Sequence, residues 1–233
     1  MLEAIIFDVD GTLADTEELH RAAFNAAFAQ AGLEWHWDRA LYGELLQVTG
    51  GKERIAHFAA GALDSEAIAA LHRCKTRTYT VMVDRGDLAL RPGVAALIEA
   101  AAREGIRLAI ATTTSPAALD ALLRATLGPD GPNRFASIAA GDMVAAKKPA
   151  PDVYARVLAD LALPPTACVA IEDSAHGLHA ALAAGIVTVV TTNSYTADQD
   201  FNGAALIGNT LSELGIDGGA ILATLREAAV MSG

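Results

Sequence analysis

The chain has 233 residues, 52% of them hydrophobic and 5% aromatic, which suits one large core or two smaller ones and excludes a disordered segment. Its formal net charge of −11 argues against a protein that grips nucleic acid by broad phosphate neutralisation, so no nucleic-acid partner is expected. No apolar run approaches the ~20 residues that span a bilayer, and the N-terminus enters an apolar strand with no basic region or cleavable signal; no membrane partner and a cytoplasmic location are expected.

The first element is the run Ala4-Ile5-Ile6-Phe7-Asp8-Val9-Asp10-Gly11-Thr12-Leu13, an apolar strand that delivers two carboxylates to its C-terminal end. Alternate strand residues share a face, so Asp8 and Asp10 can converge on one ion or substrate. Gly11 lets the chain turn without a Cβ penalty, and the Thr12 hydroxyl can bond locally to hold the turn. Residues 14–88 then carry helix-like patterns, no convincing strand and a concentration of polar and aromatic residues.

Alternation of helix and strand resumes at Arg91-Pro92-Gly93. Pro92 suits the first turn of a helix whose apolar stripe is Val94, Leu97, Ile98 and Ala101 and which ends near Gly105. The strand Arg107–Thr112 follows, then a helix from Pro116 towards Leu127, a strand around Ser137–Ala140 and a helix from Asp152 to Leu161, where Tyr154, Val157, Leu158 and Leu161 share a face. Cys168–Ile171 reads as a strand leading into a helix that Ser174 can cap and Gly185 can end; Val187–Val190 and Ala205–Ile207 are short late strands. The pattern predicts an α/β fold, a Rossmann-like doubly wound parallel sheet core over 1–13 and 89–233 with an inserted helical cap domain over 14–88. Cys74, in a predicted helix, and Cys168 have no metal-type spacing and read as reduced structural thiols.

Three further strand ends are polar. Thr112 is followed by Thr113, Thr114 and Ser115 just before Pro116, and hydroxyls with free N–H groups at a helix N-terminus suit phosphate oxygens. Lys147 and Lys148 precede the proline-stiffened loop Pro149-Ala150-Pro151-Asp152, where an ammonium group can neutralise a phosphate or keep an aspartate ionised. Glu172 and Asp173 bring two more acids to the same edge and can complete an oxygen-only site for Mg²⁺, unless Asp173 or Ser174 serves as a helix cap.

The ordered set Asp8-Val9-Asp10-Gly11-Thr12, Thr112, Lys148 and Glu172-Asp173 resembles the haloacid dehalogenase-like hydrolase superfamily over essentially the whole chain. The resemblance implies phosphoryl transfer with Asp8 as nucleophile, Asp10 as general acid and base, and Thr112 and Lys148 as further catalytic residues. It implies a Mg²⁺ cofactor held by an Asp8 side-chain oxygen, the Asp10 carbonyl and Asp173, with Glu172 direct or through water. Thr112, Thr113 and Thr114, with Ser115, would hold the phosphoryl group. Which of Lys147 and Lys148 is catalytic stays open, with Lys148 the better fit.

Substrate choice should lie in the insertion. Glu17 and His20 follow the acidic loop, while Thr49-Gly50-Gly51-Lys52-Glu53-Arg54 exposes backbone beside two cations without being a Walker loop; Lys75 is a third cation expected to face the cleft. With Tyr42, these features resemble the CbbY-type sugar-bisphosphate phosphatases and imply a sugar-bisphosphate substrate, xylulose-1,5-bisphosphate, acted on by a monomer. β-Phosphoglucomutase and phosphoglycolate phosphatase are the alternatives within the superfamily.

Overall fold

Six short apolar runs become the strands of one sheet in the computed structural model, which describes residues 1–86, 88–215 and 223–227. They are β1 (Ala4–Phe7), β2 (Arg107–Ala111), β3 (Ser137–Ala139), β4 (Cys168–Glu172), β5 (Val187–Thr191) and β6 (Leu206–Gly208). The spatial order is β3-β2-β1-β4-β5-β6 and every pairing is parallel. Parallel neighbours need crossover connections; α5 (Val94–Arg103), α6 (Pro116–Leu127), α7 (Asp152–Leu161) and α8 (Ala175–Ala183) serve the first four, and a helix-free loop over 192–205 joins β5 to β6. The order changes direction at β1, which places a crevice beyond the C-terminal ends of β1, β2 and β4.

The two faces of the sheet are packed by different side-chain sizes. On one, Ile5, Phe7, Leu108, Ile110, Val169 and Ile171 meet Leu97 and Ile98 of α5 and Leu119, Leu122 and Leu123 of α6. The other is lined mostly by small residues, Ala4, Ala109, Ala111, Ala139, Cys168 and Ala170, against Val153, Tyr154 and Val157 of α7 and Ala180 and Ala181 of α8. Alanines lower the height of that face and leave room for the large, fully buried Tyr154 ring.

Four helices are inserted between β1 and α5: α1 (Glu17–Gln30), α2 (Arg39–Leu45), α3 (Gly51–Ala59) and α4 (Ser65–Asp84). They bury their own aromatic cluster, Phe24, Phe28, Trp37 and Tyr42 with Leu45, Ile55 and Leu71. Asp38 and Asp64 cap α2 and α4 by accepting from Leu41 N at 2.9 Å and Ala67 N at 2.8 Å. The chain enters and leaves these helices side by side, with Ala14 bridged to Leu90 and Arg91 N donating to Leu13 O at 2.8 Å. They rest on α6, where Tyr79 and Val83 of α4 and Ala23 of α1 pack on Ala118 and Ala121. Of the ranges named from sequence, residues 87, 216–222 and 228–233 lie outside the described residues.

Two local expectations change. Helix α5 starts at Val94, one residue past a left-handed Gly93 at φ 91°, so Pro92 precedes the helix rather than opening it. The Thr12 hydroxyl is buried and without a hydrogen-bond partner; the turn is held by backbone, with Thr12 N and Leu13 N donating to Val9 O at 3.2 and 2.9 Å and Gly11 N to Ala14 O at 2.9 Å. A Cβ on Gly93 would lie 2.8 Å from Ser212 N, so both backbone conformation and space demand glycine. Gly93→Ala should lower stability by about 1–3 kcal/mol. The check is a lower urea midpoint at unchanged m value.

Candidate active site

Register brings the polar strand ends together. Phe7 pairs with Ile110 on one side and Ile171 on the other, so Asp8, the Thr112 segment and Glu172-Asp173 leave the sheet at one edge. Asp8 N donates to Ile171 O at 2.9 Å, which fixes the first residue beyond β1. The crevice there is lined from the sheet side by Asp8, Asp10, Thr112, Thr113, Thr114, Ser115, Lys148 and Asp173. From the inserted helices come Glu17, His20, Thr49, Gly50, Gly51, Arg54, His72 and Lys75.

Lys148 is the electrostatic centre of the floor. Its Nζ donates to Asp8 Oδ1 at 2.6 Å and Glu172 Oε1 at 2.5 Å, and all three groups are buried. Tyr154, which the sequence placed only on the apolar face of α7, also donates its OH to Glu172 Oε1 at 2.5 Å. Burial pushes the Asp8 carboxyl up to about 7, with Lys148 opposing and Glu172 reinforcing the rise. Burial would lower the Lys148 ammonium, but Asp8 and Glu172 hold it above its ordinary value. Lys147 goes elsewhere: its Nζ meets Glu53 Oε1 at 2.7 Å, across to α3.

Asp8, Glu172 and Asp173 each present a carboxylate oxygen, all within 4.8 Å of one another. Burial, then Asp8, Glu172 and Glu17, push Asp173 well above the usual carboxylate range. The three carboxyl groups around one ammonium form an all-oxygen donor set, which is what a hard divalent cation such as Mg²⁺ prefers, and its charge would favour their ionised forms. The residues therefore fit such an ion. Gly177 of α8 makes room for the cluster, since a Cβ there would overlap the Glu172 carboxyl group.

Asp10 belongs to a second network. Its Oδ1 accepts from Thr16 Oγ1 at 2.6 Å and pairs with His20 Nε2 at 2.9 Å, and its Oδ2 accepts from Thr114 Oγ1. Lys75 Nζ lies 2.6 Å from His20 Nδ1; an ammonium can only donate, so Nδ1 accepts and Nε2 carries the proton given to Asp10. Burial opposes ionisation of Asp10, yet His20, Thr16 and Lys75 bring it down to about 2. Burial lowers the Lys75 ammonium to about 8, with Asp10 holding it up and Arg54 adding to the fall. His20 also stacks on Tyr79 with ring centroids 4.1 Å apart.

The other sequence-chosen residues fall in three places. Arg54 lines the cleft while its Nε donates to Leu45 O at 3.0 Å, and Gly50 and Gly51 open α3 beside it. Tyr42 is fully buried behind the cleft, donating to Glu17 Oε2 at 2.7 Å and accepting from Arg54 Nη1 at 3.3 Å, so it holds two lining residues. Lys52 lies in an adjoining hollow with His72, Lys147 and Met143 rather than in the cleft. His72, His176, Asn193 and Tyr195 were not singled out, Tyr154 only as an apolar helix position, and Thr16 only as the first residue of the run Thr16-Glu17-x-x-His20. Thr16 sits in a detectable N-cap position, but the others reach the site from helix faces and a late loop that carry no local pattern.

The sequence model of the haloacid dehalogenase-like hydrolases matches residues 2–185. Protein CbbY of a Cupriavidus necator plasmid is 55% identical over 214 residues, covering 88% of this chain and 84% of that protein. Protein CbbY of Cereibacter sphaeroides is 52% identical over 218 residues, 92% of this chain and 95% of its own. Crystal structures of CbbY from Rhodobacter sphaeroides, one with phosphate and one of a D10N mutant with xylulose-(1,5)bisphosphate, each superpose with TM-score 0.88 at 51% identity over 92% of this chain and 97% of theirs.

Asp8 has a folded-state value near 7 against about 3.9 for a free aspartate, so folding takes up a proton between those limits. Ionised Asp8 therefore costs stability above about pH 7, and that cost is absent below about pH 4. Asp8→Asn should raise the Tm of the metal-free protein at pH 8, with the gain shrinking towards pH 5. A lower Tm at pH 8 would mean that the lost Lys148 bond outweighs the burial of the charge.

Proposed function

The chain belongs to the haloacid dehalogenase-like hydrolase family, and on that premise we propose that it is a Mg²⁺-dependent phosphatase that converts xylulose-1,5-bisphosphate to xylulose 5-phosphate. The observation that carries this reading is one cleft lined by three cations from its two sides: Lys148 beside Asp8 at the sheet edge, and Arg54 and Lys75 from the inserted helices. A bisphosphate has an anionic group at each end and a neutral sugar between. The CbbY structure holding xylulose-(1,5)bisphosphate supports the same substrate.

The chemistry follows from the two carboxylates. An Asp8 oxygen attacks phosphorus, forming an Asp8–phosphate bond as the bond from phosphorus to the sugar oxygen breaks. Protonated Asp10 gives its proton to the departing alkoxide and then, as carboxylate, takes one from the water that attacks phosphorus and frees Asp8. Lys148 offsets the repulsion between carboxylate and phosphate, and Glu172 and Tyr154 keep its ammonium group aimed at Asp8. Asp8 and Asp173, with Glu172 behind them, would hold Mg²⁺, which when bound supplies positive charge to the transferring phosphoryl group.

The donors on Asp10 set a condition on the first step. A carboxyl near 2 holds no proton at neutral pH, so the Thr16, His20 and Thr114 donors must be shared with substrate before Asp10 can act as an acid. Thr16, His20 and Lys75 come from the inserted helices, whose seating on the sheet edge is thereby part of catalysis. Those helices act as a cap that opens for substrate and closes around it.

Phosphate release should require Mg²⁺ and favour xylulose-1,5-bisphosphate over ribulose-1,5-bisphosphate, β-glucose 1-phosphate and phosphoglycolate. Conversion of β-glucose 1-phosphate to the 6-phosphate without phosphate release would make the protein a mutase instead. Asp10→Asn should lower kcat by about 10²–10⁴-fold. Arg54→Ala should raise KM for the bisphosphate at least about tenfold, the scale of one charge-assisted contact, while phosphoglycolate turnover stays unchanged. Equal effects on both substrates would remove Arg54 from distal phosphate binding.

A further inference from the structure

Among the described residues, Asp173 accepts a side-chain hydrogen bond from outside the acidic cluster. Asn193 Nδ2 donates to Asp173 Oδ2 at 2.6 Å, and Asn193 Oδ1 accepts from Tyr195 N at 2.8 Å. The second bond settles which end of the amide faces the acid, because a backbone N–H can only donate: the oxygen is committed to Tyr195 and the NH₂ must point to Asp173. The bond engages Oδ2 and not Oδ1 of Asp173, a residue that lines the crevice.

The loop behind Asn193 is built to hold that direction. Asn193 N donates to Thr196 Oγ1 at 3.0 Å, while Thr196 N and Ala197 N return bonds to Asn193 O at 3.1 and 3.0 Å. From beneath, buried Arg91 donates through Nη1 to Gly11 O and through Nη2 to Thr192 O at 2.6 Å, tying the catalytic turn to the loop. Gly11, at φ 83°, leaves the space for the pair: a Cβ there would lie 2.5 Å from Asn193 Nδ2 and overlap Asp173 Oδ2. At the outer end Tyr195 OH donates to Glu18 of α1, and the Arg39 guanidinium stands 5.2 Å from the Tyr195 ring centroid.

We infer that Asn193 is a positioning residue for Asp173: it fixes the carboxylate rotamer that presents Oδ1 to a divalent cation, from a loop that the inserted helices grip through Tyr195. A carboxylate free to rotate must be ordered when the ion binds, whereas one already held presents its oxygen at no such cost. The inference rests on Asp173 being a metal ligand, and the experiment separates the two.

Mg²⁺ binding to the metal-free, full-length protein is measured by titration calorimetry for wild type, Asn193→Ala, Asn193→Ser and Asp173→Asn. Loss of a hydrogen-bond partner behind a metal ligand weakens binding by about 10–100-fold, and that range is expected for both Asn193 variants. Serine ends one bond short of the Nδ2 position but still accepts from Tyr195 N, so it keeps the turn and reports on Asp173 even if the alanine protein fails to fold. In steady-state assays the Mg²⁺ concentration for half-maximal rate should rise by the same factor, with kcat at saturating Mg²⁺ and the substrate KM within about twofold of wild type. Unchanged Mg²⁺ affinity in Asn193→Ser alongside weakened binding in Asp173→Asn would overturn the inference. Unchanged affinity in Asp173→Asn would instead overturn Asp173 as a ligand.

Discussion

One buried ammonium group holds the sheet edge together. Asp8, Glu172 and Asp173 are carboxylates with almost no access to solvent, and unpaired charges at such depth would be neutralised or would unfold the edge. Lys148 enters from the loop before α7 and touches two of them, so the loop's conformation is itself an electrostatic requirement of the cluster. Asp152 closes that loop by accepting from Ala146 N at 3.0 Å, and Ala150 N donates to Lys147 O at 3.0 Å. Removing Lys148 would leave Asp8 and Glu172 without their cation, and stranding a buried charge in this way typically costs about 3–5 kcal/mol, far more than the exposed ion pairs elsewhere on the surface contribute.

The same constraint separates the two aspartates of the first motif. Asp8 and Asp10 are two residues apart, yet burial raises one to about 7 and hydrogen-bond donors lower the other to about 2. Asp8 shares its single cation with Glu172, while Asp10 is surrounded by hydroxyls and by the His20–Lys75 pair. Environments that push paired acids apart are how one small crevice can assign them different tasks. Because the donors on Asp10 come from both the sheet edge and the inserted helices, its proton affinity depends on how those parts sit together.

Much of this was legible in the chain. Apolar runs with period-2 or 3.6 patterns, broken by Gly and Pro, gave the alternation of strand and helix, and α7 runs from Asp152 to Leu161 as its stripe suggested. Asp8, Asp10, Thr112 and Asp173 could be singled out because each follows an apolar strand, and Lys148 because it precedes a proline-stiffened loop. Pro92 misled because Gly93 takes the left-handed N-cap position and delays the helix. Thr12 misled because backbone bonds alone close the turn. Tyr154 was readable as an apolar helix position, but nothing in its spacing says that the hydroxyl reaches Glu172.

The sequence by itself determined the local periodicities, the breaks between elements and the chemical types at the strand ends, because each depends on residues within a few positions of one another. Tertiary structure alone decided which acids share a cation, which carboxyl is raised and which lowered, and which lysine of the pair enters the crevice. Those outcomes rest on contacts between residues as far apart as Asp8 and Lys148, or Asp10 and Thr114. Burial and Coulomb interaction act over ångströms in space, and no pattern along the chain encodes such a distance until the sheet has brought its ends together.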